Sequence, residues 1–291
     1  MKYLDGRRDA LRFIRIAALV LTPFSAWTQW LNYPPPGTPL TRDGKPDLSA
    51  PAPLALDGHP DLSGVWMHET TTVEELKRLF GHQLDDAIAT SAPGMEIGTQ
   101  HKYGFDILAD FKPGETAMRP EGQALYRQRL AARDSSKVCT VEPLSFPYAG
   151  LLSEPIKIVQ SPRETLILYE LRNLHRQIFT DGRKLPNDFE FPAFLGYSVG
   201  HWEDDTLVIE TAGFNDRTLL DAQGRVHSDA LRTTERIRRR DFGHLDFETT
   251  LDDPKIYTRP FTLKIPHYLV ADQDLFEMYC ENEKDSQHMR K

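Results

Sequence analysis

Cysteine is scarce in this chain, with Cys139 and Cys280 the only two in 291 residues. That scarcity excludes a cysteine-rich zinc centre or an iron–sulfur cluster, each of which needs a set of thiolate ligands. A Cys139–Cys280 bond stays open; it would close a very long loop and contribute roughly 4–5 kcal/mol in the chain-entropy account. No apolar run approaches the ~20 residues that cross a bilayer, so no stable membrane span is expected. Walker A, GxGxxG, HxH and HExxH patterns are all missing. Nucleotide cofactors and a zincin site are therefore disfavoured, and no cofactor or metal is assigned. The GxSxG spacing of Gly196-Tyr197-Ser198-Val199-Gly200 falls inside an expected strand, not at the strand-to-helix turn of a serine elbow. Positive charge is not in excess either: the net charge of −8 argues against nucleic acid or an anionic membrane as partner. The one basic run, Arg236-Ile237-Arg238-Arg239-Arg240, is bracketed by Glu235 and Asp241 and reads as the outer face of a strand.

What is present starts at the N-terminus. Arg7, Arg8, Arg12 and Arg15 precede an apolar stretch from Ile16 to Leu21, which runs on to small residues at Ser25 and Ala26. A basic start, a short apolar middle and a small-residue end describe a secretory signal over residues 1–28. Arg7-Arg8 also resembles a twin-arginine signal, and the expected location is periplasmic or secreted. Residues 29–60 form a proline-rich lead-in with an internal echo, Asp43-Gly44-Lys45-Pro46-Asp47-Leu48-Ser49 and Asp57-Gly58-His59-Pro60-Asp61-Leu62-Ser63. Asp-Gly and Pro-Asp are turn formers, so each copy is expected to be a turn.

Residues 61–291 read as one β-barrel-like domain. A first strand is expected at Gly64-Val65-Trp66, and helices at Thr71–Leu84 and Pro120–Arg133, where capping residues precede amphipathic spacing. After Pro155 the pattern alternates. Strands are expected near Ile156–Gln160, Thr165–Leu171, Leu174–Phe179, Gly196–Trp202, Thr206–Thr211, Leu231–Arg239, His244–Leu251, Phe261–Ile265 and Leu275–Glu281. Short strands with short connections predict a mainly β fold: an antiparallel up-and-down meander closed into a lipocalin-like (calycin-like) barrel, with two short flanking helices.

Several segments carry a resemblance. Asp57-Gly58-His59-Pro60-Asp61-Leu62-Ser63-Gly64-Val65-Trp66 and Gly196-Tyr197-Ser198-Val199-Gly200-His201-Trp202-Glu203-Asp204-Asp205-Thr206-Leu207-Val208 are similar to a family of uncharacterised exported bacterial proteins. Glu210-Thr211, Leu231 with Glu235-Arg236, Asp252-Asp253-Pro254-Lys255 and Tyr279-Cys280-Glu281-Asn282 extend it. His201 and Asp204 stand where that pattern has Arg and Gly. The resemblance implies an exported β-barrel-like protein and brings no activity.

Strand alternation assigns faces. Leu231, Thr233, Glu235, Ile237 and Arg239 share one face, which places Glu235 toward the apolar side. Glu170 alternates with Leu166 and Leu168; Glu277, Tyr279 and Glu281 alternate with Leu275. Carboxylates and a phenol in an apolar barrel would have the raised pKa values that acid–base chemistry uses. An ion-pair network with Arg176 or Arg232 is the structural alternative. His175, His201, His227 and His244 lie in or beside strands, without metal-ligand spacing.

The leading expectation is thus an enzyme, a lyase, isomerase or hydrolase acting on a small hydrophobic or aromatic molecule. Glu235, Glu170, His175 and Tyr279 are its candidate catalytic residues; Arg176, Trp202, Tyr197 and Glu281 are its candidate binding residues. A periplasmic lipocalin-like binding protein without catalysis is the alternative, and an envelope structural protein the third.

Overall fold

The structure is a computed structural model and describes residues 34–81, 101–132, 155–170, 173–221 and 223–276. The expected signal peptide, both cysteines, Tyr279, Glu281 and the body of the strand placed at Leu275–Glu281 lie outside these residues.

Ten strands form one sheet: β1 Gly64–His68, β2 Ile156–Gln160, β3 Glu164–Tyr169, β4 His175–Phe179, β5 Tyr197–Glu203, β6 Thr206–Ala212, β7 Arg232–Arg239, β8 His244–Asp252, β9 Phe261–Lys264 and β10 His267–Leu269. They follow chain order from β1 to β9. Then β10 inserts between β8 and β1 and closes the sheet into a nine-strand barrel. This is the mainly β, lipocalin-like barrel that the alternation predicts. One pairing departs from an antiparallel meander. β4 and β5 run parallel, Ile178 opposite Ser198, because the connection through residues 180–196 returns the chain to the end where β4 began.

The alternation that marked the strands also fixes what they bury. Along β7, Thr233, Glu235, Ile237 and Arg239 are buried, whereas Arg232, Thr234, Arg236 and Arg238 face water. On β8 the buried set is Leu245, Phe247, Thr249 and Leu251. β3 corrects one face assignment: Thr165, Ile167 and Tyr169 point inward, so Leu166 and Leu168 are on the outer side. Glu170 follows the strand end and does not share the lining that its spacing suggested.

Among the described residues three short helices flank the sheet: α1 Val73–Phe80, α2 Lys102–Phe105 and α3 Pro120–Ala131. Thr72 caps α1, its hydroxyl accepting from the Glu75 N–H at 3.3 Å, and Leu76 is the residue it buries. α3 starts on Pro120, where a missing N–H costs nothing. Gly122 lets α3 approach the chain at Ile256, whose carbonyl oxygen would lie 2.6 Å from any Cβ there. α2 lies where no period was legible.

The two echo copies do fold as the same turn. Thr41 N–H donates to the Lys45 carbonyl and Asp47 N–H to that of Pro39; Ala55 and Asp61 repeat this with His59 and Pro53. The lead-in is not a free connector over its described residues. Phe242 and Gly243 N–H groups donate to the carbonyls of Ala50 and Leu48. The buried Arg239 guanidinium bonds the carbonyls of Asp61 and Phe242 and lies over the Trp66 ring, at 4.9 Å. Burial lowers its pKa to about 10.

The β5–β6 turn holds Asp204 at φ 52°, a left-handed conformation that suits glycine. Asp204→Gly is therefore expected to stabilise the protein by about 0.5–1 kcal/mol. Urea unfolding of the two proteins checks this, and a lowered midpoint would show that Asp204 has a compensating role.

Candidate functional site

The most unusual interior feature is a buried ion pair. Arg176 is an inward residue of β4 and Glu235 an inward residue of β7, and both are sealed from water, at 3% and 0% exposure. The guanidinium grips the carboxylate with both ends: Nη1 donates to Oε1 at 3.0 Å and Nη2 to Oε2 at 2.5 Å. Arg176 Nη2 also donates to Thr211 Oγ1 at 2.6 Å, and Nε to Ser198 Oγ at 2.9 Å. The two hydroxyls lie 2.9 Å apart and bond each other. Four strands, β4 to β7, are thereby tied by one fully buried group. Bidentate geometry and added hydroxyls offset the large cost of removing two charges from water.

Of the expected site residues that are described, the structure brings together Arg176 and Glu235 alone. His175 is exposed, on the opposite face of β4 from Arg176. Glu170 accepts from the Phe276 N–H at 2.8 Å, and burial raises its pKa, that bond opposing. Tyr197 belongs to a surface cluster: its hydroxyl accepts from Arg183, and its ring lies 5.3 Å from Phe179. Trp202 packs on the core from the end of β5, its ring stacked on His59 at 4.6 Å and not lining a cavity with Glu235. His201 is near Glu203, His244 bonds Asp241, and His227 is fixed by Thr218 and the Ser228 carbonyl. Among the described residues no group of three His, Cys, Asp or Glu is arranged to hold a metal. No described helix is long and apolar enough to cross a membrane.

Arg236, Arg238 and Arg240 of the basic run lie on the outer face, whereas Arg239 is buried on the inner one. Arg236 pairs with Glu203 and Arg238 with Asp205, both at 2.8 Å, and Arg240 with Asp246 at 3.1 Å. With its charges matched, the 480 Å³ depression along them carries no net pull on an anion.

A second groove differs. It measures about 680 Å³ and lies between α3, the segment 192–194 and the loops at 214–217 and 228–229. Leu125, Pro192, Phe194 and Phe214 give it apolar walls. Two of its carboxylates are already matched, Asp216 by Arg129 and Asp229 by Lys255, at 2.8 and 2.7 Å. Arg217 has no carboxylate partner among the described residues; its own N–H is held by Asn215 Oδ1 at 3.1 Å. Alternation could not reveal this site, because its residues come from loops and a helix flank.

Asp221 accepts from the Ile107 and Arg225 N–H groups at 2.9 and 3.0 Å. Burial raises its pKa to about 7 against these bonds.

Fold and interior together define a closed β-barrel whose wall is braced by a sealed arginine–glutamate pair and whose flank carries an apolar groove with a cation, Arg217, unmatched among the described residues. Comparison with protein-family models, curated proteins and solved structures found no match for the chain.

Proposed function

We propose that this protein is an exported barrel that binds a small, partly hydrophobic anion without catalysing its conversion. The observation that carries the reading is the unmatched Arg217 guanidinium beside Leu125, Pro192, Phe194 and Phe214, in a groove whose other charges are paired. An apolar body would fill the walls, and a carboxylate or sulfonate would meet Arg217. Export rests on the basic and apolar residues 7–26.

The test is binding of matched probes, such as 4-phenylbutyrate and its neutral amide, followed by calorimetry. The carboxylate should bind more tightly than the amide, and Arg217→Gln should weaken it by roughly 10- to 100-fold, the worth of one charged hydrogen bond. Equal affinity of acid and amide, or an unaltered variant, would refute the reading.

A second reading keeps the barrel as an acid–base enzyme acting on a small molecule, with Glu235 as acid or base and Arg176 as charge stabiliser. Convergence of Arg176, Ser198, Thr211 and Glu235 in an apolar interior supports it. Against it stands their sealing: substrate would have to displace packed side chains to touch the carboxylate.

A further inference from the structure

Three histidines meet where the barrel closes. His68 ends β1, His267 begins β10, and the two are partners across the β1–β10 seam. His101 caps α2 and brings its ring centroid to 6.3 Å from that of His68. All three are buried, at 4%, 8% and 6% exposure for His68, His267 and His101. The seam itself is thin. β10 has three residues, facing three on β1 and two on β8, against an eight-pair ladder between β7 and β8. Outside those pairs it is held by Glu69 N–H to the Pro266 carbonyl, Val270 N–H to that of Val65 and Leu269 N–H to that of Gly243.

Among the described residues, little around these rings favours a positive charge. His68 Nε2 is buried with no hydrogen-bond partner among the described residues. His101 Nδ1 accepts from the Tyr103 N–H at 3.4 Å, a role that protonation there abolishes. His267 Nδ1 can donate to the Ile265 carbonyl at 2.7 Å, and its ring packs on Phe247. Lys102, next to His101, adds a positive charge. Asp110 is already bound by Lys102 and the Tyr103 hydroxyl. Glu69, beside His68, faces Arg240 at 3.6 Å, and on β8 His244 is bound to Asp241 at 2.7 Å. Burial lowers the His68 pKa to about 4. Burial, reinforced by the neighbouring histidines and, at His101, by Lys102, lowers His101 and His267 to about 3; Asp110 and the Ile265 carbonyl oppose this only in part.

We propose that the β8–β10–β1 seam is an acid-operated latch: protonation of His68, His101 and His267 parts β10 from β1 and opens the barrel wall there, while the long ladders of β5 to β8 stay closed. The groove at Arg217 plays no part in this inference, and the two stand or fall separately.

Hydrogen exchange of the full chain, read by mass spectrometry at pH 7 and pH 5 and corrected for intrinsic rates, tests it. Opening at 64–69 and 267–270 should rise by about 20-fold for each histidine freed, from the linkage between opening and protonation. Segments 206–212 and 232–239 should stay far more slowly exchanging than the seam at both pH values, since they open only with the whole barrel. An unchanged seam at pH 5 would overturn the latch, and so would a barrel whose segments all exchange together. The variant His68→Leu/His101→Asn/His267→Gln keeps the cap acceptor and the donor to Ile265 and should remove the pH effect. Should it not fold, His68→Leu alone, which loses no hydrogen bond, should reduce the effect about 20-fold. Wild-type acid opening in whichever variant folds would equally overturn the proposal.

Discussion

Glu235→Gln is expected to lower the midpoint of thermal unfolding by on the order of 10 °C. The change removes the negative partner of a guanidinium that is 3% exposed and leaves Arg176 charged inside the barrel. Breaking a buried pair in this way costs about 3–5 kcal/mol, and for a domain of this size each kcal/mol moves the midpoint by roughly 2–4 °C. Arg176→Met should be as damaging, since it leaves the carboxylate unpaired. The double replacement Arg176→Met/Glu235→Leu should recover most of the loss, because apolar side chains of similar volume then fill the site. Ser198 and Thr211 keep each other as partners at 2.9 Å. Calorimetric midpoints of the three proteins decide the matter. If Glu235→Gln kept its midpoint while abolishing a turnover, the carboxylate would be catalytic and the enzymatic reading would replace the binding one.

That pair shows what alternation can and cannot reveal. The inward position of Glu235 was legible, because β7 is long, regular and bounded by clear turns. Its pairing with Arg176 was one of two arginine options, since the partners are on strands not adjacent in the sheet, and only closure of the wall brings them face to face. Glu170 misled because spacing was read through the end of β3. The chain leaves the strand at Tyr169, and parity then says nothing about direction. β10 was folded into no expected strand: three residues after Pro266 carry no period, and its position comes from pairing with β1, almost two hundred residues earlier in the chain. His68, His101 and His267 went unnoticed for the same reason, each being an isolated histidine on its own segment. Arg217 gave no signal either, as a loop cation becomes informative only once its neighbours are seen to be paired.

The histidines at the seam have a second, purely thermodynamic consequence: the protein should be several kcal/mol less stable at pH 5 than at pH 7.5. Their pKa values are depressed in the folded protein, to about 4 for His68 and about 3 for His101 and His267, from an ordinary value of 6.5. Between the two limits the unfolded chain binds protons that the folded one refuses, so stability falls as pH drops below 6.5 and levels off only under the folded values. At pH 5 each histidine contributes a loss of about 2 kcal/mol, or roughly 6 kcal/mol for three, a sizeable share of a typical 5–15 kcal/mol. Asp221 acts in the opposite sense. Its pKa is raised to about 7, so it favours the folded state as pH falls from 7 toward 3.8 and offsets part of the histidine loss. Urea unfolding across pH 5 to 7.5, for the wild type and for His68→Leu, separates the contributions. The wild type should lose stability steadily below pH 6.5, and the variant should lose about 2 kcal/mol less by pH 5. Parallel curves for the two proteins would mean that His68 is protonated as readily in the folded barrel as in the open chain, and the buried, neutral state assigned to it would be wrong.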